Sequence, residues 1–310
     1  MFNLNRTPQN HPYSMKTNYS ALFLAASMSV LPGSLWAQPT AHYVPGVEGI
    51  KGASLPPPGI YLRDYNVAYI ATHANTPAGQ NAGIPNFKAF TYANVPRVIW
   101  ITDTTLLGGF VGVDALLPLV YQSLRVPGYD HSTFGIGDLF AETTLSWHPK
   151  QFDLAVGLGV WMPTGDSAAG PLTTRVGAGY WTPMLTAGGT WYIDSEKTWA
   201  VSALNRYEFN TEKNDTSITP GQAYTLEWGI SKTVCKVVDL GVVGYYQQQV
   251  TKDSGAGSGP NCDRVAAVGP EISVVFPKSM VFVSFRYLNE FMAEDRAQGN
   301  TFVLTLTKRF

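Results

Sequence analysis

Charge, cysteine and long apolar runs are all scarce in this chain. Charged side chains make up 14% of its 310 residues, whereas soluble domains carry about 25%. Its two cysteines, Cys235 and Cys262, are too few for a disulfide framework, and its longest apolar run falls short of the ~20 residues that a membrane-spanning helix needs. The net charge of −1 offers no basis for binding nucleic acid. A disulfide-rich domain, a helical membrane protein and a nucleic-acid-binding protein are therefore excluded.

What the chain has instead is a regular alternation of side chains, which is clearest between Phe152 and Met162. Every second residue there is large and apolar, and the residues between them are mostly small or polar. A period of two places the two sets on opposite faces of a strand. Leu139–Trp147 alternates in the same way and is separated from the first run by a short turn at His148–Gln151. Long strands, a short turn and then a long Gly-rich loop from Pro163 are typical of a transmembrane β-barrel.

Composition agrees with a barrel that is embedded in a membrane. Hydrophobic residues make up 45% of the chain although the mean hydropathy is only −0.03, and 13% aromatic residues are enough for girdles at two interfaces. The alternative is a soluble β-sandwich, but its strands usually have about 5–6 residues, and the alternating runs here are about twice as long. The sequence therefore predicts an all-β fold, a transmembrane up-and-down antiparallel β-barrel of about 12 strands.

The alternation also predicts where strands and loops lie along the chain. The first strands are expected at Ile60–Thr72, Tyr92–Thr102 and Gly109–Tyr121, followed by a loop at Gln122–Thr133. Residues 292–300 are expected to form an outer loop before the last strand, Thr301–Phe310. Because long loops and short turns alternate, an even number of strands places both termini in the periplasm. The last strand must pair with the first, since unpaired backbone groups are costly in hydrocarbon.

The N-terminal part is predicted to precede the barrel. Residues Met15-Lys16-Thr17 and the apolar run after them resemble a secretory signal peptide, with cleavage after Ala37. Residues 1–37 are therefore interpreted as an upstream extension and signal peptide, residues 38–59 as a Pro- and Gly-rich leader, and residues 60–310 as the barrel. The leader cannot pair as a central strand, so it is either a flexible periplasmic tail or a plug inside the barrel.

The C-terminus is similar to the signature that ends bacterial outer-membrane proteins. Phe302, Leu304, Leu306 and the terminal Phe310 lie on one face of the last strand, whereas Lys308 departs from that signature. The resemblance implies a place in the bacterial outer membrane, with the lipid bilayer and lipopolysaccharide as surroundings. It also implies that the barrel-assembly machinery recognises Phe310.

Polar residues on the rows opposite the apolar ones are candidates to line a lumen and a solute path. These candidates are Asp138, Glu142, Arg206, Glu208, Glu227, Tyr245, Glu271, Arg286 and Glu290. Two interpretations stay open: cross-strand salt bridges that fix the register, or a polar path along which a solute exchanges partners. About 12 strands enclose more space than the eight-stranded barrels that side chains fill. A selective or plugged channel is therefore favoured over an open pore.

Two tryptophans that flank the loop after Met162 are candidates for aromatic stacking. Trp161 and Trp181 are expected on inward or rim positions, where an aromatic ligand would stack on them; a girdle or packing role is the alternative. No metal or cofactor is predicted, because the spacing of the loop carboxylates Asp253, Asp263 and Glu294 matches no ligand pattern.

An outer-membrane lipid hydrolase is the alternative from another functional class. It requires a histidine and a serine two residues apart on one strand face, close enough for proton transfer. None of the five histidines begins a His-x-Ser pair, and His131 and His148 are expected in a loop and a turn. The sequence therefore favours a protein that is not an enzyme.

Four segments carry a family resemblance that covers most of the chain. They are GDLFAETTLSWHP, DLAVGLGVWMPTGD, GAGYWTPMLTAGGTWYID and the start PPPGIYLRDY. They resemble the outer-membrane proteins of the meta-pathway of phenol degradation. The resemblance implies a channel for the uptake of small hydrophobic or aromatic compounds, which the leader gates; a structural or surface-binding barrel without transport is the alternative.

Overall fold

The computed structural model describes residues 41–167 and 174–310. The predicted signal peptide and part of the predicted loop after Met162 lie outside these two ranges. Within them, no helix is long and apolar enough to cross a bilayer. The strands of the described residues are β1 (Gly59–Ala74), β2 (Lys88–Leu106), β3 (Gly109–Leu116), β4 (Leu119–Val126), β5 (Tyr129–Ile136), β6 (Leu139–Trp147), β7 (Phe152–Met162), β8 (Thr182–Tyr192), β9 (Trp199–Glu208), β10 (Ala223–Val234), β11 (Val238–Gln249), β12 (Arg264–Phe276), β13 (Val281–Glu294) and β14 (Ala297–Arg309).

These segments close into an antiparallel barrel that has no free seam in its wall. The first strand pairs with β2 on one side and with β14 on the other. β3 and β4 are two parts of one long strand, because β2 pairs with β3 through its C-terminal part and with β4 through its N-terminal part. β5 and β6 form a second such strand, since β5 pairs with β4 and β6 with β3. The fourteen segments therefore make a closed barrel of twelve strands, which confirms the predicted fold.

The wall is interrupted where three neighbouring strands meet. The break between β3 and β4 falls at Leu117 and Pro118, and the break between β5 and β6 falls at Gly137 and Asp138. On the adjacent β2, Pro96 cannot donate a ladder hydrogen bond. The predicted third strand therefore exists but is split at the proline that it contains.

Two predicted loops are wrong. Residues 122–133 form most of a hairpin of β4 and β5 rather than a loop, with a tight turn in which Gly128 has a φ of +79°. Residues 292–300 belong mainly to β13 and β14, and only Asp295 and Arg296 lie between these strands. The alternation in both segments is carried by polar and small side chains, so hydropathy did not reveal it.

Along each strand, one row of side chains faces outward and the other faces the interior. On β7, Leu154, Val156 and Leu158 are exposed, whereas Asp153 and Ala155 are buried. The apolar rows therefore form a surface for lipid, and the polar rows point into the barrel. Contact of the apolar rows with lipid is favourable. Because the strands close into a barrel, few backbone N–H and C=O groups face the lipid without a hydrogen-bond partner.

Residues 41–58, here called the inner segment, lie inside the barrel and pass along its length. At one end His42 contacts Thr182 and Glu208, which lie at the end of the barrel that carries the long loops. At the other end the carbonyl of Pro58 accepts a hydrogen bond from Arg309 at the short-turn end. β1 begins and β14 ends at that short-turn end, as expected. Residues 41–43 lie at the long-loop end, so the described part of the predicted leader runs inside the barrel.

Candidate functional site: the barrel interior

Glu48 of the inner segment lies at the centre of a buried charge cluster. Its Oε2 atom is 2.9 Å from Arg63 Nη1 of β1, and its Oε1 atom is 2.9 Å from Arg97 Nη1 of β2. Arg206 Nη2 of β9 lies 3.6 Å from the same Oε1 atom, and the Tyr65 hydroxyl donates to it at 3.0 Å. Only 8% of Glu48 is exposed. One carboxylate therefore connects three strands of the wall to the segment inside it.

Arg97 extends this cluster to two carboxylates of the wall. It donates to both oxygens of Asp114, at 2.8 and 2.9 Å, in the bidentate geometry that suits a guanidinium. Its Nη2 atom is 3.4 Å from Glu142 Oε2, and the other oxygen of Glu142 accepts from Thr186 at 2.7 Å. Glu142 therefore lies beside the inner segment's anchor without contacting the segment by a hydrogen bond.

Two further wall carboxylates bind the backbone of the inner segment. Glu208 Oε1 accepts from the backbone N–H groups of His42 and Tyr43, both at 2.9 Å. Glu227 Oε1 accepts from the N–H groups of Gly46, at 2.6 Å, and Glu48, at 3.3 Å. A buried segment without strand pairing needs such partners for its backbone. The wall supplies them as side chains instead of a β-ladder.

A third carboxylate and an arginine hold the turns of the segment. Glu271 Oε2 accepts from the N–H of Ile50 at 2.8 Å, and its other oxygen is 3.1 Å from Arg286 Nη2. Arg286 also donates to the carbonyls of Gly46, at 3.2 Å, and Val47. A Cβ atom at Gly49 would overlap the Glu271 carboxylate, and Gly49 has a φ of +68°. Glycine is therefore required where the segment turns against the wall.

The long-loop end of the interior is aromatic. The ring of His42 stacks on Trp161 with the centroids 4.8 Å apart and an interplanar angle of 11°, and the Phe140 ring lies 4.7 Å from Trp161. We call this group the aromatic cap; its members are His42, Tyr43, Phe140, Trp161 and Met184, with Val47 and Leu116 against them. The buried Nε1 atom of Trp161 and Oε2 atom of Glu208 have no hydrogen-bond partner among the described residues.

Asp138 connects the aromatic cap to the loop that follows β7. Its Oδ2 atom is 2.8 Å from His42 Nε2 and accepts from the Ala178 N–H at 2.6 Å. Its Oδ1 atom accepts from the Gly165 N–H at 2.8 Å. Asp138 lies in the break between β5 and β6, where it contacts both the inner segment and the loop after β7.

The interior leaves little space beside the inner segment. A cavity of about 30 Å³ lies next to residues 52–56 and is bounded by Arg97, Thr186 and Leu204 on the wall. Such a volume holds a water molecule, for which roughly 10–15 Å³ suffices, and is too small for an aromatic ring. This cavity therefore admits no aromatic solute while the inner segment is in place.

Comparisons with known proteins agree with this architecture. Residues 72–306 match the model of the family described as "Putative MetA-pathway of phenol degradation". The chain belongs to this family. No curated protein matches the chain. An outer membrane channel from Pseudomonas putida F1 is similar in structure, with a TM-score of 0.74 and 15% identity over 87% of this chain and 100% of that one.

Other outer-membrane barrels are less similar to this family member. The β-domain of the Bordetella autotransporter BrkA has a TM-score of 0.48 and 11% identity, over 81% of this chain and 99% of that one. The CymD monoaromatic hydrocarbon channel has a TM-score of 0.40 and 10% identity, over 82% of this chain and 89% of that one. The fold that this chain shares with the Pseudomonas putida F1 channel, together with its apolar outer surface, makes it a bacterial outer-membrane barrel.

The sequence-predicted lumen residues of this family member all lie inside its barrel, and all nine are buried. Six of them bind the inner segment directly: Asp138, Arg206, Glu208, Glu227, Glu271 and Arg286. Glu142 joins the cluster through Arg97. Glu290 accepts from the hydroxyls of Tyr245, at 2.8 Å, and Tyr69, at 2.9 Å, so these residues connect strands of the wall.

The two tryptophans differ from each other. Trp161 is buried in the aromatic cap, as expected for an inward position. Trp181 precedes β8 with 49% of its surface exposed, on the outward row with Pro183 and Leu185. Trp181 therefore takes the rim position of the two that were expected, and a stacking role for it stays a prediction. The register of β8 turns Thr182 inward instead.

Sequence reasoning missed the inner segment's own chemistry. Glu48 and His42 lie in the Pro- and Gly-rich leader, where no periodicity assigns a direction to a side chain. Arg63, Arg97 and Asp114 were detectable in principle, because they occupy the rows of β1, β2 and β3 that alternate with apolar residues. Arginines on the inward rows that outnumber the nearby carboxylates of the strands indicate that another part of the chain places an acidic side chain inside the barrel.

Proposed function

We propose that the protein is an outer-membrane channel for the uptake of small hydrophobic or aromatic compounds, with the inner segment as its plug. The observation that carries the proposal is the occupant of the barrel. A twelve-stranded wall encloses more space than its own side chains fill, and here residues 41–58 take up that space. The segment is attached to the wall by hydrogen bonds and ion pairs, so its displacement opens a passage without breaking the barrel.

The chemistry of the aromatic cap supports aromatic solutes. His42 of the plug stacks on Trp161, and a planar solute that replaces His42 regains the same stacking contact. The partnerless Trp161 Nε1 is a donor and the partnerless Glu208 Oε2 is an acceptor. A ring that carries a hydroxyl group satisfies such atoms, whereas a charged or sugar-like solute would have to desolvate against the surrounding rings.

The buried polar residues then have a double role. In the plugged state they are ligands of the inner segment, and during passage they line the path: Asp138, Glu142, Arg206, Glu208, Glu227, Tyr245, Glu271, Arg286 and Glu290. The wall charges exceed those of the plug, which supplies Glu48 and Lys51. Partial displacement that keeps Glu48 in place costs least, because removing one partner of a buried ion pair costs about 3–5 kcal/mol.

The proposed surroundings follow from the outer surface. Lys88 and Arg125 lie opposite each other on β2 and β4, beyond the aromatic residues Tyr92 and Tyr121. Arg125 is paired with Asp130 at 2.7 Å, so Lys88 is the cation of this pair that suits a phosphate of lipopolysaccharide. Phe310 has 74% of its surface exposed, which leaves it accessible to the barrel-assembly machinery. The similar structures are channels and translocators, and this supports transport in preference to an enzymatic role.

A disulfide between plug and wall tests the channel. Ser54 Oγ of the inner segment lies 2.8 Å from Thr190 Oγ1 of β8, so Ser54→Cys with Thr190→Cys places two thiols in contact. Both native cysteines are free thiols and are replaced by serine in this experiment. Uptake of labelled toluene or phenol by cells that carry this variant should fall at least fivefold on oxidation and return on reduction.

Controls separate a channel from a barrel without transport. Each single-cysteine variant should be insensitive to oxidation, because it cannot lock the plug. Equal uptake by the oxidised and reduced double variant would contradict plug displacement. Equal uptake by cells with and without the protein would favour the alternative, a structural or surface-binding barrel.

A further inference from the structure

One carboxylate faces lipid in the middle of the wall. Asp64 lies on the outward row of β1, between the inward-facing Arg63 and Tyr65, and is opposite Pro96 of β2 and Leu306 of β14. The outward rows beside it are apolar in both directions: Ile60, Leu62, Val98 and Trp100 toward the short turns, and Ala68, Ile70 and Phe90 toward the long loops. An ionisable group at this depth is costly and marks a functional position by default.

Amide side chains surround this carboxylate on the same outer face. Asn66 Nδ2 donates to Asp64 Oδ2 at 2.9 Å, and Asn94 Nδ2 donates to Asp64 Oδ1 at 2.9 Å. Asn94 also donates to Asn66 Oδ1 at 3.2 Å, and the Tyr92 hydroxyl donates to that atom at 2.7 Å. We call Asp64, Asn66 and Asn94 the amide ladder.

No cation of the described chain neutralises the amide ladder. The lysine nearest in register is Lys308, which lies opposite Leu62, and its Nζ atom donates to the carbonyl of Ser279 instead. The salt bridges of the described residues do not include Asp64. The patch therefore presents a carboxylate acceptor and amide donors side by side. In a single barrel, its outer side would contact lipid acyl chains.

The amide ladder also lies beside the interrupted part of the wall. The ladder of β2 with β4 ends at Asn94, and the ladder of β2 with β3 begins at Arg97. Between them, one hydrogen bond of 3.3 Å joins the Leu117 N–H to the Pro96 carbonyl. Unpaired backbone groups in hydrocarbon are costly, so this stretch is the part of the barrel that gains most from a protein neighbour.

We propose that the outward face of β1, β2 and β4 is the interface between two copies of this chain. A two-fold axis along the membrane normal makes such a contact self-complementary, because each copy brings the same patch. The second N–H of Asn66, which has no acceptor within its own amide ladder, then donates to Asp64 of the other copy, and polar contacts across a membrane interface favour association. Large exposed side chains flank the patch and supply its apolar contact, with 54% of Val98, 52% of Trp100 and 37% of Tyr121 exposed.

Cross-linking in the membrane tests the face directly. In a background with Cys235→Ser and Cys262→Ser, Val98→Cys places a thiol on the proposed interface, and Leu158→Cys places one on β7. Leu158 is a matched control, because 67% of it is exposed on the outward row of a different part of the wall. Oxidation of native outer membranes should give at least tenfold more disulfide-linked dimer for Val98→Cys. Equal yields from both sites, or none from Val98→Cys, would overturn the proposal.

The second test asks whether the amide ladder holds the copies together. The wild-type protein in lipid nanodiscs should have the mass of a dimer, and Asp64→Leu combined with Asn94→Leu should have the mass of a monomer. Asn205→Leu is the matched control: its amide is also outward-facing, on β9, and bonds the Ala187 carbonyl. It should leave the dimer intact. A monomeric wild-type protein, or a dimer that survives in the double variant, would contradict the proposal whether or not the barrel transports a solute.

Discussion

The inner segment is held in two regions of the barrel by different forces. In the middle, the Glu48 carboxylate lies among Arg63, Arg97 and Arg206, all within 3.6 Å. At the long-loop end, His42 is held by a stacked ring and by Asp138. A buried ion cannot leave its partners without uncovering several charges, whereas a stacked ring is replaced by another ring at little cost. The middle therefore acts as an anchor, and the long-loop end is the part that we expect an entering solute to displace first, before the residues on the short-turn side of Glu48 move.

Loss of the Glu48 charge should have the largest effect on this anchor. We expect Glu48→Gln to weaken the seating of the inner segment by about 3–5 kcal/mol, because three guanidinium groups lose their shared counter-ion. Ala53→Cys, in a background without the native cysteines, reports the change as a faster reaction with a membrane-impermeant maleimide. Ala53 is 2% exposed in the wild-type barrel.

The second charge of the segment provides the matched comparison. Lys51 Nζ lies 2.9 Å from Asp239 Oδ2, and both side chains are partly exposed at 22% and 16%. Partly solvated ion pairs are worth about 0–1 kcal/mol, so Lys51→Met should change the labelling of Ala53→Cys only slightly. Similar labelling rates in the Glu48 and Lys51 variants would contradict an anchor in the middle of the barrel.

The difference between the two regions was only partly predictable from the sequence. Glu227 and Arg286 were predicted to face inward because a two-residue period fixes the face of every strand residue. Their actual partners were not predictable, since the inner segment has no period and its position depends on contacts from distant strands. Glu48 is 179 residues away from Glu227 along the chain, and no local pattern connects them.

At the long-loop end, His42→Ala should have a smaller and more local effect. The substitution removes the stack on Trp161 and the contact with Asp138, at a cost of about 1–2 kcal/mol. Trp161 should become more accessible to a neutral fluorescence quencher, while the labelling of Ala53→Cys stays unchanged. His73→Ala is the control, because His73 lies at the same end of the barrel and bonds only Gln298 among the described residues. Faster labelling of Ala53→Cys in the His42 variant would show that the two regions move together.

The smallest expected effect is a pH dependence at the long-loop rim. Burial, followed by the charge of Asp263, raises the pKa of Asp295 from 3.8 to about 6. The folded protein therefore keeps this proton at a pH where the unfolded chain has lost it. Stability from this residue is fully present below pH ~4 and is lost as the pH rises through ~6, by an amount on the order of 1 kcal/mol.

Urea unfolding between pH 4 and pH 7 measures this dependence. Asp295→Asn removes the titrating group, so its stability should change less across this range than that of the wild type. Asp194→Asn is the control, since Asp194 lies at a short turn where hydrogen bonds from Trp199 and Thr198 lower its pKa to about 2, outside the range. An unchanged pH profile for Asp295→Asn would assign the effect to other groups.

The interrupted wall marks the other limit of prediction from sequence. Strands such as β6 and β7 alternate without a proline, and their predicted and observed faces agree. In the interrupted part of the wall, Pro96 lies within β2, Pro118 lies between β3 and β4, and Gly137 lies between β5 and β6. There the sequence pattern predicted a strand followed by a loop where the structure has the hairpin of β4 and β5. Hydropathy identifies strands that face lipid, but it does not identify strands that extend beyond the lipid on polar side chains.

The pairing of β1 with β14 also has a consequence for how the molecule is made. The inner segment leaves the ribosome before any strand, whereas the strand that completes the cylinder is synthesised last. The inner segment would have to be inserted through a barrel that had already closed. A sheet that is still open can instead close around a segment that is already in place. Glu227 and Arg286 then meet their ligands while the sheet is still curling. We therefore expect the wall to close around the inner segment, because the pairing of β1 with β14 forms only after the last strand has been made.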